Sequence, residues 1–361
     1  MSLPPTDLAI VTGVPGWLGT RLVETLINGL SDPNLPELSL KSERPVRALY
    51  LPRADISALA HLSPQLTLVK GNLTSGKGMA ELFDEARGAT VFHAAGVIHP
   101  TTSCKEFYQV NAQGTERLLQ AAAKAGVRRF VHVSSNSPIG TNANLDPVQL
   151  FDENSPYNPY MHYGKSKKMG EDLVNAAGQM AREGGMETVI IRPPWFYGPG
   201  QPPRQTLFFT MIKNGKAPIV GSGQNLRSMA YIDNICQGLM LCERTAAASG
   251  KTYWIADSQP YTMNQIVDTI EKLLETEFNL PVAHKRMKLP DIASDVALLV
   301  DQVLQKLGLY QQKFHVLSEM NKNIACSIDT ARRELGYNPQ ISLEEGMRRS
   351  IAYIIGSGQS I

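Results

Sequence analysis

Six short apolar runs punctuate the first 192 residues, and text of helical periodicity separates them. The runs fall at 8–11, 46–50, 66–69, 90–93, 129–133 and 187–191. Each is continuous rather than alternating, as expected of strands buried on both faces. Helical text fills 17–30, 105–125 and 160–183. Strands that alternate with helices in this way predict an α/β fold, a doubly wound parallel sheet covered on both sides. After Arg192 the pattern breaks at the proline-rich stretch "RPPWFYGPGQPP", residues 192–203. A mixed segment follows, with one more strand at 253–256, and from about residue 259 the text is largely helical. The expected division is a doubly wound α/β domain of residues 1–192 plus about 227–258. A smaller, partly interleaved substrate region takes about 193–226 plus 259–361.

The first strand runs into "TGVPGWLG", residues 12–19, which places Gly13, Gly16 and Gly19 at the turn into a helix. Glycine here lets the backbone turn tightly and lets a pyrophosphate approach the helix N-terminus. A strand-to-helix turn favours glycine in any case, so the context carries the reading: this motif lies between strand and helix, where a dinucleotide site needs it. An acid at the end of the second strand would bond a ribose 2′-hydroxyl, and an arginine would meet a 2′-phosphate. The chain reads "VRALYLPR" over 46–53, with no acid at the strand end and Arg53 close behind. This pattern favours NADP, with NAD as the alternative.

In "YGKSKKMGE", residues 163–171, Tyr163 and Lys167 stand four apart and share a helix face. Such a spacing is common on solvated surfaces. It also sets a cation beside a phenol, which would lower the phenol's pKa and make it a usable proton donor and acceptor.

Taken together these stretches resemble the extended short-chain dehydrogenases/reductases. "TGVPGWLG" is similar to the family's glycine motif, including Trp17 and Leu18. "GNLT", residues 71–74, is similar to its adenine-contact motif, with Asn72 in place of the usual aspartate and Leu73 after it. "HAAG" (His93, Ala94, Ala95, Gly96) resembles the strand-four motif beside the cofactor, and "VNAQGT", residues 110–115, resembles V-N-x-x-G-T. "FVHVSSNS", residues 130–137, resembles the strand end that presents a catalytic serine. The resemblance implies that Tyr163 is the general acid/base and that Lys167 lowers its pKa and holds the nicotinamide ribose. Ser135 would polarise the substrate oxygen, and Asn111 would hold a helix distortion and a water in the proton path. Pro193 would lie beside the cofactor. Ser134 stays an alternative to Ser135. His93 and His132, in strand text, fit packing better than catalysis.

The same constellation serves dehydrogenases, epimerases and dehydratases. Nucleotide-sugar members carry an asparagine where this chain has Trp195, and an indole cannot supply an amide's paired donor and acceptor. Trp195 suits an apolar wall. Arg227 matches an arginine used on phosphate, which keeps a sugar-nucleotide substrate open. The segment at 289–308 resembles the 3β-hydroxysteroid dehydrogenase-like branch. The expected activity is oxidoreduction of a secondary alcohol or ketone on a largely apolar small molecule. A nucleotide-sugar 4-epimerase is the second reading and a non-catalytic dinucleotide sensor the third. The resemblance implies a homodimer in which the helices at 105–125 and 160–183 pair across the interface.

A net charge of +2, without a long basic run, speaks against a nucleic-acid partner. No stretch has the length and apolarity of a membrane span. The four cysteines form no metal-ligand spacing and suggest free thiols, and the N-terminus lacks a signal-peptide pattern, so a cytoplasmic location is expected.

Overall fold

The computed structural model describes residues 3–30, 38–101, 103–142, 149–180 and 185–361. In chain order the N-terminal elements are β1 (Ala9–Val14), α1 (Trp17–Asn28), β2 (Val46–Tyr50), α2 (Ser57–Ala60), β3 (Leu66–Lys70), α3 (Met79–Leu82) and β4 (Thr90–His93). The helical run from Lys105 has three parts: α4 (Lys105–Tyr108), a π-helical turn over Gln109–Gly114, and α5 (Thr115–Lys124). Then come β5 (Arg129–Val133), α6 (Met161–Met180) and β6 (Glu187–Arg192). The expected extension of α6 to Glu183 lies outside the described residues.

The C-terminal part holds β7 (Trp195–Tyr197), α7 (Pro203–Lys213), β8 (Pro218–Val220), β9 (Leu226–Arg227), β10 (Met229–Tyr231), α8 (Ile232–Arg244), β11 (Lys251–Trp254) and β12 (Tyr261–Thr262). It continues with α9 (Met263–Thr276), β13 (Met287–Leu289), α10 (Ile292–Lys306), α11 (Gln312–Glu319), α12 (Asp329–Leu335) and α13 (Leu343–Gly356).

Seven strands form one sheet in the order β11-β6-β5-β4-β1-β2-β3, and all six pairings are parallel. This is a Rossmann fold. The central strands are solidly apolar because helices cover both faces: Ala9, Val11, Phe92, Val131 and Val189 face one core, and Ile10, Val91, Phe130 and Ile190 the other. The strand order reverses between β1 and β4, and the crevice beyond their carboxyl ends is where such sheets bind ligands. The small pairs β7–β10, β8–β13 and β9–β12 build a second region over that crevice.

Helix α6 is fastened to the sheet by a buried ion pair. Arg192, ending β6, donates to Glu171 of α6 from Nε at 3.0 Å and from Nη2 at 2.7 Å. Glu171 also accepts from Ser134 at 2.5 Å and from Tyr157 at 2.7 Å. Removing one partner strands the other charge in the interior. Glu171→Leu is therefore expected to cost about 3–5 kcal/mol in urea unfolding. Glu171→Leu/Arg192→Leu is expected to recover most of that loss; equal losses in the two variants would show that the pair's charge is not what matters there.

Candidate active site

A cleft of about 1850 Å³ opens at the carboxyl ends of the strands. That exceeds the ~300–1,000 Å³ of ordinary small-ligand pockets and leaves room for an extended dinucleotide with a second molecule. Gly13, Gly16, Trp17, Leu18, Gly19, Asn72, Leu73, Ala94, Ala95, Gly96, Ser135, Tyr163, Lys167, Pro193, Trp195 and Arg227 all line it.

The glycine loop makes one end. Gly13 has φ +97°, and a Cβ there would meet the Ala95 nitrogen at 2.7 Å. A Cβ on Gly19 would meet the Gly13 carbonyl oxygen at 2.4 Å, so helix and strand touch here because neither carries a side chain. Helix α1 begins at Trp17 with no side-chain cap and no acid in its first turn. Its first N–H groups, and the positive end of its dipole, are left to the cleft. This cradle fits a diphosphate. The Trp17 indole turns the other way, donating to the Pro199 carbonyl at 2.6 Å and packing 5.1 Å from the Phe196 ring.

Beyond β2 the expectation for Arg53 fails. Arg53 is exposed and is not among the residues that line the cleft; Leu51, Ala54 and Asp55 are. The chain turns immediately after the strand, and the Asp55 carboxylate accepts from the Ser57 nitrogen at 2.9 Å, starting α2. That bond holds Asp55 below its usual pKa. Asn72 is spent on its own turn, accepting from the Thr74 nitrogen and hydroxyl, each at 2.7 Å.

His93 is a second correction. Its ring is fully buried between the Thr12 hydroxyl, at 2.7 Å, and the Thr115 hydroxyl, at 2.8 Å. It ties β1 and β4 to α5 and does not line the cleft. Burial, with Lys167 nearby, pushes its pKa down to about 3, so it stays neutral. His132 packs on it at 5.2 Å and is lowered as well, chiefly by burial.

Asn111 is buried in the π-helical turn and does not reach the cleft surface. Its Oδ1 accepts from the Val97 nitrogen at 2.7 Å. Its Nδ2 donates to the Val97 carbonyl at 2.9 Å and to the Ser166 hydroxyl at 3.0 Å. The helix distortion is present, and the amide clamps the strand-four loop to α6.

Tyr163, Lys167 and Glu171 follow one face of α6. Tyr163 stands beside Ser135 and Ser137, whose hydroxyls act to lower its pKa. The two serines are bonded to each other at 2.8 Å, and Ser137 N donates to the Ser135 oxygen at 2.9 Å. Because Ser134 is committed to Glu171, Ser135 is the serine beside the phenol. Ser137 was not singled out from the sequence; its place two residues further round the same loop was the available signal.

The lowered phenol pKa expected from Lys167 is not what the chain alone produces. Burial pushes Tyr163 up, Ser135 pulls it back, Glu319 adds to the rise and Ser137 opposes it. Lys167 is committed elsewhere, donating to the Val133 carbonyl at 2.7 Å, and its own burial lowers it to about 8.

Trp195 and Arg227 share this cleft. The Trp195 ring packs 5.5 Å from Phe208. Arg227 is lowered by burial, against the pull of Glu319 and Tyr160, and its Nε has no hydrogen-bond partner. Sequence reasoning missed Glu319 and His315, which line the cleft from α11. His315 Nδ1 is bonded at 2.8 Å to Asp301, a carboxylate buried in α10, and nothing in the helical text marked that pairing.

A profile of the 3-beta hydroxysteroid dehydrogenase/isomerase family matches residues 10–286. The chain belongs to this family. Among its relatives, the protein y4nL of Sinorhizobium fredii is 46% identical over 98% of this chain and 96% of its own. An N-acetyl-alpha-D-glucosaminyl-diphospho-ditrans,octacis-undecaprenol 4-epimerase of Escherichia coli O157:H7 is 27% identical over 96% of this chain and 95% of its own. The crystal structure of DesIV, a dTDP-glucose 4,6-dehydratase from Streptomyces venezuelae with NAD and TYD bound, superposes with a TM-score of 0.71 at 25% identity, covering 97% of each chain. This family member is therefore an NAD(P)-dependent enzyme of the extended short-chain dehydrogenase/reductase type.

The family lysine gives a pH test on the bare protein. Its folded pKa, about 8, lies below the usual lysine value of 10.5, so the folded chain resists the charge. Lys167 then costs stability below pH 8, and the cost is relieved as pH rises from about 8 towards 10.5. The unfolding free energy of the wild type minus that of Lys167→Met is expected to climb through this window by up to ~3 kcal/mol. A flat difference would mean that the ammonium is solvated.

Proposed function

We propose that the protein interconverts a secondary alcohol and a ketone on a largely apolar small molecule, with net turnover of a nicotinamide dinucleotide. One observation supports this reading most: an apolar wall of Trp195, Phe208, Met211, Val316 and Met320 lines the cleft that also holds Tyr163. When bound, the dinucleotide supplies a ring that takes or returns a hydride. Gly13, Gly16 and the first turn of α1 would hold its diphosphate. Ser135 would donate to the substrate oxygen. Tyr163 would take the proton from an alcohol there, or return it to the carbonyl oxygen. Lys167, released from Val133 or shared with it, would hold a ribose hydroxyl and favour the phenolate. Ser137 would keep Ser135 and Tyr163 aligned.

The Asp55 carboxylate supports NAD over NADP, because a 2′-phosphate beside it would meet like charge. Fluorescence titration is expected to give tighter binding of NAD(H), and Asp55→Ala is expected to narrow the gap. Tighter NADP(H) binding in the wild type would overturn this assignment.

A sugar-nucleotide or lipid-diphosphate 4-epimerase is the second reading, and Arg227 is what favours it. Its buried, unpartnered Nε suits an anionic group. The two readings differ in bookkeeping: a dehydrogenase accumulates reduced dinucleotide with product, an epimerase recycles it. We also propose a homodimer through α5 and α6. Their outer positions carry Glu116, Arg117, Gln120, Lys165 and Asp172 beside Met169 and Met180, so such an interface would be mixed rather than apolar. A monomer by light scattering at micromolar concentration would remove it. We also propose a cytoplasmic location, which the four buried free thiols support.

On a substrate that the wild type turns over, Tyr163→Phe is expected to lower kcat by about 10²–10⁴ with dinucleotide affinity nearly unchanged. Near-wild-type turnover, with an unchanged melting curve, would exclude the proton-transfer role.

A further inference from the structure

One polar cluster of the cleft has no part in the chemistry at Tyr163. His315 and Glu319 stand four apart on α11 and both line the cleft. Behind them, Asp301 is fully buried in α10. Its Oδ2 accepts from His315 Nδ1 at 2.8 Å and from Gln305 at 2.9 Å, and its Oδ1 has no partner among the described residues. A buried carboxylate with one bare oxygen leans on the cation it touches, here the His315 imidazolium. With Nδ1 turned to Asp301, Nε2 is the polar atom that His315 has left for the cleft.

A row of rings joins this cluster to the reacting end. Tyr163, Phe107, Tyr310 and His315 follow one another with 5.7, 5.7 and 5.5 Å between successive centroids. Phe107 is fully buried, and the Tyr310 hydroxyl is bonded to His99 at 2.7 Å. Tyr160 also packs on His315, at 5.5 Å, with its own hydroxyl bonded to Ser318 at 2.5 Å. Rings packed and tied in this way hold their places, so the fold sets the span between the Tyr163 hydroxyl and the His315 imidazole.

The charges around His315 cancel. Burial pulls its pKa down, but the bond to Asp301 and the charges of Glu319 and Asp301 push it up, and the rise wins. The phenols that face it, Tyr310 from the α10–α11 link and Tyr160 ahead of α6, are kept protonated chiefly by burial. His99 is kept neutral, with a pKa of about 4, by burial and then by the charges of Arg204 and His315. Arg227 is drawn to Glu319 and Tyr160. Asp301 thus balances His315, and Glu319 balances Arg227. An Nε2–H beside a carboxylate is a donor and acceptor pair without net charge. It suits a hydroxyl, which accepts from the one and donates to the other, better than an anion.

We propose that His315, aligned by Asp301, is a specificity-determining residue that binds a second oxygen of the substrate, a hydroxyl carried at a set distance from the carbon that reacts at Tyr163. The substrate is then an apolar molecule with two oxygen functions, one for Ser135 and Tyr163 and one for His315 and Glu319. This rests on the alcohol–ketone reading given above. A site that hydrogen-bonds a substrate hydroxyl rejects the analogue that lacks it, because its own polar groups are then left bare. A dyad that only fastened α10 to α11 would treat both molecules alike.

The test pairs straight-chain methyl ketones of increasing length with the same ketones bearing a terminal hydroxyl, reduced by the full-length protein and its dinucleotide. The wild type is expected to favour the hydroxylated member by about 10–100-fold in kcat/KM at the chain length that fits the span. The advantage is expected in KM more than in kcat. It is expected to fade as pH rises through the His315 titration, where the Nε2 proton is lost; the titrations of Tyr163 and Lys167 act on both members and cancel in the ratio. His315→Asn keeps a donor for Asp301 and removes the atom that faces the cleft, and the ratio is expected to fall to near one. If His315→Asn lowers the melting temperature, the pH dependence of the wild-type ratio takes its place with the same expectation. Equal kcat/KM for both members at every length overturns the proposal. So does an advantage that a folded His315→Asn retains, one that pH leaves unchanged, or a larger one for a terminal carboxylate. Turnover of no ketone in either series, with the dinucleotide bound, removes the alcohol–ketone reading itself and the proposal with it.

Discussion

The buried Glu171 carboxylate is the fixed point from which the candidate site is laid out. It holds Arg192 at the end of β6, Ser134 at the end of β5 and the Tyr157 hydroxyl at once. Helix α6 can thus neither slide nor rotate against the sheet without stranding a charge. One turn back along the same face, Lys167 reaches the Val133 carbonyl; one turn further, Tyr163 meets Ser135 and Ser137. Each contact lies at the level of the sheet that its four-residue offset from Glu171 sets. Asn111 adds a second clamp from the opposite side, through Val97 and Ser166. The phenol and the serine share one cleft before any ligand arrives, which is the preorganisation that positioning and electrostatic stabilisation require.

The electrostatics of that arrangement are those of a site waiting for charge. Burial raises the phenol and lowers the ammonium, so the chain by itself keeps both groups closer to neutral than free side chains would be. The spacing of Tyr163 and Lys167 showed that they share a face. It could not show that the ammonium is occupied by a main-chain carbonyl, because that depends on where β5 ends relative to α6.

Much of the sheet was legible in the sequence for a simple reason. Strands buried on both faces must be apolar throughout, and β2, β4 and β5 fall at the residues read from their apolar runs. The glycine loop was legible because close backbone approach admits no side chain. Arg53 and His93 misled for opposite reasons. A strand end says which residue types stand nearby, not which way the chain turns next, and it turns so that Asp55, not Arg53, lines the cleft. A histidine in a motif can be there for its two ring nitrogens, and His93 spends both on threonines. The two-residue strands β9 and β12 had no legible pattern, since strands so short are defined by their partners. Trp195 and Arg227 were legible as residues but not as neighbours: the pairing of β7 with β10 helps bring them to one cleft.

The interleaving of the two regions has a consequence for how the molecule comes into being. Strand β11 seals the edge of β6, yet it lies beyond the whole segment that builds β7 to β10 and α8. A chain emerging from the ribosome carries β6 with one open edge until Trp254 has been made. Trp254 then stacks on Phe151, 5.8 Å between ring centroids, and Phe151 in turn bridges to Cys326. The sheet that carries the glycine loop is thus completed by residues synthesised after Trp195, Phe208 and Met211. No single cut would divide this protein into a nucleotide-binding piece and a remainder that each keep their own edges covered.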